Sequence, residues 1–183
     1  MPQIIFNDVT LAFTQNMTRE SDFGGYNFSF IVNKDHFCDA IRKALAVQKT
    51  QLWPESKNTN DFILKKCNAK LKDDVTHVQT RDAMKDNDVL VQVKSKEGPI
   101  ENSKKMPLGR GTIADILIDV FEYEYGKKQF ICVRSHASRG CTVKVKELKE
   151  FSNGPKYFDY EDADNGLAVN ALNDIIEENS FVI

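Results

Sequence analysis

Residues 109–134 read GRGTIADILIDVFEYEYGKKQFICVR and carry the strongest β signal in the chain. Ile113 to Tyr125 is rich in β-branched and aromatic residues and predicts one long strand. Gly126-Lys127 predicts a turn, and Gln129 to Ser135 a returning strand. Alternation places Phe121, Tyr123 and Tyr125 on one face of the long strand. Phe130, Cys132 and Arg134 share one face of its return, with Lys127 and Lys128 at the turn. Rings and cations are therefore interleaved on a single hairpin.

Upstream, residues 3–13 (QIIFNDVTLAF) predict a first strand, and Tyr26–Val32 (YNFSFIV) a second. Tyr26, Phe28 and Phe30 fall on one face of the second strand, with Phe28 and Phe30 expected in the core. Asn33 is placed to cap a helix from about Lys34 to Lys49, whose apolar stripe is Phe37, Ile41, Ala44 and Leu45. The stretch from Gln51 to about Asp88 is irregular, holds the sole tryptophan, Trp53, and predicts one short helix over Phe62–Leu71. VLVQV at 89–93 predicts a strand, 95–111 a basic loop, and Cys141 to about Phe151 a further strand. Antiparallel strands with a helix between them suit a small, partly open barrel of the OB type, or a two-layer α+β sheet.

Charge is divided unevenly. Residues 1–150 hold 24 Lys and Arg against 20 Asp and Glu, a net of +4, whereas residues 151–183 hold only Lys156 against seven acids, a net of −6. Residues 94–149 alone hold 12 bases against seven acids. A basic body with an acidic tail points to a polyanion surface and a segment that competes for it. Within the tail, Leu167 to Ile176 has apolar residues at helical spacing, and the chain closes on Phe181-Val182-Ile183.

Other chemistry finds little footing. Cys132, His136 and Cys141 lack the paired hook of structural zinc sites, and Cys132 reads as a core strand residue. In EDADNG, aligning Gly166 with the sixth position of a calcium loop puts Leu172 at the twelfth, where a bidentate Glu belongs. LGRGT matches neither phosphate-loop pattern, and no G-x-S-x-G is present. Asp115, Asp119, Glu122 and Glu124 raise a Mg-dependent nuclease as a rival, but alternation divides them between two faces. A module that acts only through the acidic tail is a second rival. No cofactor or metal is expected. Four scattered cysteines, no apolar run of membrane-spanning length and an N-terminus without a signal pattern predict a cytoplasmic protein.

The order VTLAF, GGYNFSFIVNKDHFCDAIRKAL, Trp53, LKDD at 71–74, VLVQVKSKEGPI and GRGTIADILIDVFEYEYGKKQFICVR resembles phage single-stranded DNA-binding proteins of the phage T7 type over about residues 5–150. The resemblance implies an OB-fold core with an inserted helix. It also implies binding of single-stranded DNA without sequence preference in replication, recombination and repair, with no catalytic activity, in the cytoplasm of the infected bacterial host. Finally, it implies an acidic C-terminal tail that occludes the DNA groove and contacts replication enzymes.

The expected architecture is therefore mainly β: residues 1–151 form an OB-fold-like, partly open antiparallel barrel with an inserted helix, and residues 152–183 an acidic tail with a short helix. The expected phosphate contacts are Lys34, Lys94, Lys96, Lys104, Lys105, Arg110, Lys127, Lys128, Arg134 and Arg139. The expected stacking rings are Tyr26, Trp53, Tyr123 and Tyr125. Asp174, Glu177, Glu178, Phe181, Val182 and Ile183 are the expected contacts of the tail with a polymerase or helicase. Pairing into a homodimer stays open, and no membrane contact is expected.

Overall fold

The computed structural model describes residues 2–47, 59–95, 98–102, 104–135 and 142–150. The chain divides into units 1–150 and 151–183, and the second lies outside the described residues. The expected tail helix and tail contacts therefore lie outside the described residues, and so do Trp53, Lys96, His136, Arg139 and Cys141 of the first unit.

Among the described residues, seven strands and three α-helices run in the order β1 (Gln3–Phe13), β2 (Tyr26–Asn33), α1 (Lys34–Val47), α2 (Asn60–Lys66), β3 (Ala69–Leu71), α3 (Val78–Asp82), β4 (Asp88–Ser95), β5 (Ile113–Tyr125), β6 (Lys128–Ser135) and β7 (Val143–Glu147). A 3-10 turn at Lys72–Asp74 links β3 to α3. The sheet order is β1-β2-β4-β6-β5, and β5 returns to β1, so five strands close a barrel of the OB type. Four of the five seams are antiparallel. The fifth, β4 with β6, is parallel and consists of the single pair Lys94 and Arg134.

Two bends in β1 make the closure work. Its first half pairs with β5 and its second with β2, with register shifts between Phe6 and Val9 and between Leu11 and Phe13. Asp8 sits at the first shift with φ 55, the kind of bulge that turns a strand around a barrel corner.

The core is built by alternation. Phe28, Phe30, Val89, Val91, Val93, Ala114, Ile116, Ile118, Val120, Ile131 and Val133 all point inward and are buried. α1 packs on β1, β2 and β5 and adds Phe37, Cys38, Ile41 and Leu45 to the core. The Phe6 and Phe37 rings lie 5.7 Å apart. As expected, Asn33 caps α1: its Oδ1 accepts the Asp35 and His36 N–H groups at 3.0 and 3.1 Å.

Three elements differ from their sequence-based bounds. The helix expected over Phe62–Leu71 ends at Lys66, because Asn68 turns left-handed at φ 55 and the chain continues as β3 along β4. The last strand spans Val143–Glu147; beyond it, Lys149 turns in to hydrogen-bond Gly109 and Thr112. The 3-10 turn and α3 were not expected. Val75 and Met84 from this segment cover Ala12, Ile31 and Leu90 on the outside of β1, β2 and β4, forming a small second cluster. Part of the outer β2–β4 face is thereby covered.

Candidate nucleic-acid interface

β5 pairs with β1 only as far as Asp119, while its ladder with β6 continues to Tyr125. The distal hairpin therefore extends past the barrel as a two-stranded arm. Its turn uses Gly126 at φ 56 and Lys127 at φ 66, the two left-handed central residues of a type I′ connection, which matches the twist of the flanking strands.

Alternation gives the arm two unlike faces. On the front, Tyr125 stands opposite Lys128, Tyr123 opposite Phe130, Phe121 opposite Cys132 and Asp119 opposite Arg134. On the back are Glu122 and Glu124. Glu122 and Glu124 are thus sorted onto the side opposite the rings, while Asp119 stays on the side of the rings.

The front face is a connected series of contacts. The Tyr123 and Phe130 rings stack at 5.3 Å and 22°, and Phe121 lies 6.2 Å from Tyr123. The Arg134 guanidinium carbon stands 4.9 Å from the Phe121 ring centroid. Such ring pairs and cation–π contacts each contribute on the order of 0.5–1.5 kcal/mol. Tyr123 is 44% exposed and Tyr125 78%. Lys94 stands beside Arg134 across the β4–β6 seam, with Asn27 opposite it on β2. From Tyr125 to Asp119 the strip is about 20 Å long at strand rise.

α2 supplies an edge to this strip. Lys66 lies 5.3 Å from the Phe62 ring and 5.6 Å from the Phe130 ring. Neither Phe62 nor Lys66 was among the sequence-predicted contacts, although their i, i+4 spacing on a short helix marks them as neighbours. Phe121 and Phe130 were read as ring positions of the hairpin but not as contacts.

The predicted contacts do not all converge. Lys94, Tyr123, Tyr125, Lys127, Lys128 and Arg134 gather on the arm and its seam. Lys104 and Lys105 are exposed in the loop after β4, where Asn102 bridges to Val143 of β7 and its side chain accepts the Lys104 N–H. Arg110 sits at the opposite end of β5 from the arm, bonded to the Ala12 carbonyl and to Gln79. Lys34 opens α1 and its N–H donates to the Asn87 carbonyl. Tyr26 shares the inward side of β2 with Phe28 and packs half-buried against the core.

The carboxylates that raised the nuclease rival are also separated. Asp115 accepts the Asp8 N–H at 3.0 Å and pairs with Lys146 at 3.0 Å, and Lys146 also binds Asp8 at 2.8 Å. The Asp8 N–H, aided by Lys146, holds the Asp115 carboxyl below the usual carboxylate range. The hydrogen bonds that the Lys146 ammonium donates to Asp8 and Asp115 hold its pKa above the usual lysine value. Among the described residues no three His, Cys, Asp or Glu side chains gather into a metal-binding group, and no helix is long and apolar enough to cross a membrane. Burial pushes the Cys38 thiol up to about 11 and raises Cys67 as well.

No protein-family model and no curated protein sequence matches the chain. Solved structures do. The C-terminally truncated single-stranded DNA-binding protein of bacteriophage Enc34 matches with a TM-score of 0.53 at 12% identity, covering 82% of this chain and 88% of that one. The Enc34 protein in complex with single-stranded DNA matches with a TM-score of 0.51 at 12% identity, covering 83% and 90%. The single-stranded DNA-binding protein gp2.5 of bacteriophage T7 covers 88% of this chain and 94% of its own at 14% identity, with a TM-score of 0.45. At these identities the likeness is one of fold, and in fold this chain resembles the phage single-stranded DNA-binding proteins.

Proposed function

We propose that this chain binds single-stranded DNA without base specificity along the front of the β5–β6 arm. The observation that carries this reading is the run of Tyr123, Phe130 and Phe121, ring against ring, flanked by Lys128, Arg134, Lys94 and Lys66. Unstacked bases gain about 1–3 kcal/mol each on such rings whatever their identity, and the cations follow the phosphates. The nuclease rival has little to stand on here, since Asp115 is tied to Asp8 and Lys146, and Glu122 and Glu124 lie on the back of the arm. The fold shared with DNA-binding phage proteins adds support by analogy.

In this reading the protein coats single strands during phage replication, recombination and repair in the infected cell. Residues 151–183, net −6, then compete with DNA for the basic strip, and Phe181-Val182-Ile183 anchor a polymerase or helicase. Titration of labelled oligo-dT with the full chain and with a chain ending at Glu150 tests this. Expected are binding that weakens steeply with salt and tighter binding by the shortened chain. Absence of binding by both at low salt overturns the reading, and equal affinities overturn the role of the tail.

A further inference from the structure

Asp119 is the one Asp or Glu among the described residues that is buried, at 2% exposure, although alternation puts it on the outward, DNA-facing side of β5. Its register partners are Gln3 on β1 and Arg134 on β6. A carboxylate withdrawn from water requires a cation, and opposite charges directly across a ladder attract. The cation directly across is Arg134, whose guanidinium lies over Phe121, the ring two residues along from Asp119 on the same face. Lys94 stands on the far side of Arg134.

Resting on the front-face reading above, we propose that Asp119 is a positioning residue for single-stranded DNA binding: its carboxylate fixes the Arg134 guanidinium over Phe121. The other edge of the planar fork, together with Lys94, is then left to receive the phosphate that follows a base stacked on Tyr123. Held this way, the guanidinium loses less side-chain freedom when DNA arrives. The consequence runs against simple electrostatics. Removing an acid from a polyanion-binding surface ordinarily tightens binding; here it loosens it.

The test is a double-mutant cycle on the full chain, with oligo-dT affinity measured at fixed salt for wild type, Asp119→Asn, Arg134→Ala and the double variant. Expected is a roughly 5- to 30-fold loss for Asp119→Asn and no further loss when it is added to Arg134→Ala. Unchanged or tighter binding by Asp119→Asn overturns the proposal, and so do losses that simply add. If Arg134→Ala itself binds like wild type, the siting of DNA on the arm fails and the proposal with it. Should Asp119→Asn not fold, Arg134→Lys decides: it keeps the charge but not the planar fork, so a loss approaching that of Arg134→Ala supports the proposal and wild-type affinity overturns it.

Discussion

Gly109 has no room for a side chain. A Cβ there would stand 1.9 Å from the Glu150 carbonyl oxygen, and the Gly109 N–H donates to the Lys149 carbonyl at 2.9 Å. The obstacle is backbone on both sides, so relief needs a shift of β7's exit from the foot of β5. Gly109→Ala is expected to cost about 2–4 kcal/mol in chemical denaturation; a loss within error of zero contradicts the crossing. Asp115 makes a second prediction. Its folded pKa lies below the unfolded value, so its contribution is present above the ordinary carboxylate range and is lost as pH falls from there through the lowered folded value. Asp115→Asn is therefore expected to flatten the acid side of the melting-temperature profile while leaving the slope around neutrality unchanged. An unaltered acid limb counts against the Asp8–Asp115–Lys146 linkage. At this scale the sequence was partly legible. The core roles of Phe28 and Phe30, the Asn33 cap and the facing of the arm's rings all follow from period and residue type. The engagement of Lys146 with Asp8 and Asp115 does not, because its partners are distant in sequence and meet only after β1 bends.

The hairpin was the most legible element, because thirteen consecutive residues are rich in β-branched and aromatic types and its turn has a glycine. The segment between α1 and β4 was the least. β3 has three residues and α3 five, too short for either periodicity to be expressed; β3 is held by its pairing with β4, and α3 sits between Val75 and Met84, which pack on the strands. That segment also covers part of the outer β2–β4 face through Val75 and Met84 and leaves the arm uncovered by this cluster. The two faces of the arm give an element-scale prediction. Tyr123→Ala is expected to lower oligo-dT affinity by about 1–3 kcal/mol at constant salt. Glu124→Ala, one residue away on the back, is expected to change it by less than about 0.5 kcal/mol. Equal effects at the two positions would contradict a one-sided site.

For the whole molecule, strand order and the inserted helix indicated an OB barrel, and the ring of five strands agrees. How the ring closes was not legible: the β4–β6 seam is a single parallel pair joining residues forty apart, which no local pattern encodes. The same pair brings Lys94 to Arg134 and so links the barrel to the arm. Predicted cations at Lys34 and Arg110 lie elsewhere for the converse reason: net charge along a sequence does not report which face it reaches. The central claim, that single-stranded DNA lies on the front of the arm, is tested most directly by photo-crosslinking the full chain to oligo-dT substituted with 5-iodouracil and mapping the adducts by mass spectrometry. Adducts are expected to concentrate between Phe121 and Arg134, with Tyr123 and Phe130 foremost. Adducts confined to other segments, with the arm unmodified, would contradict it.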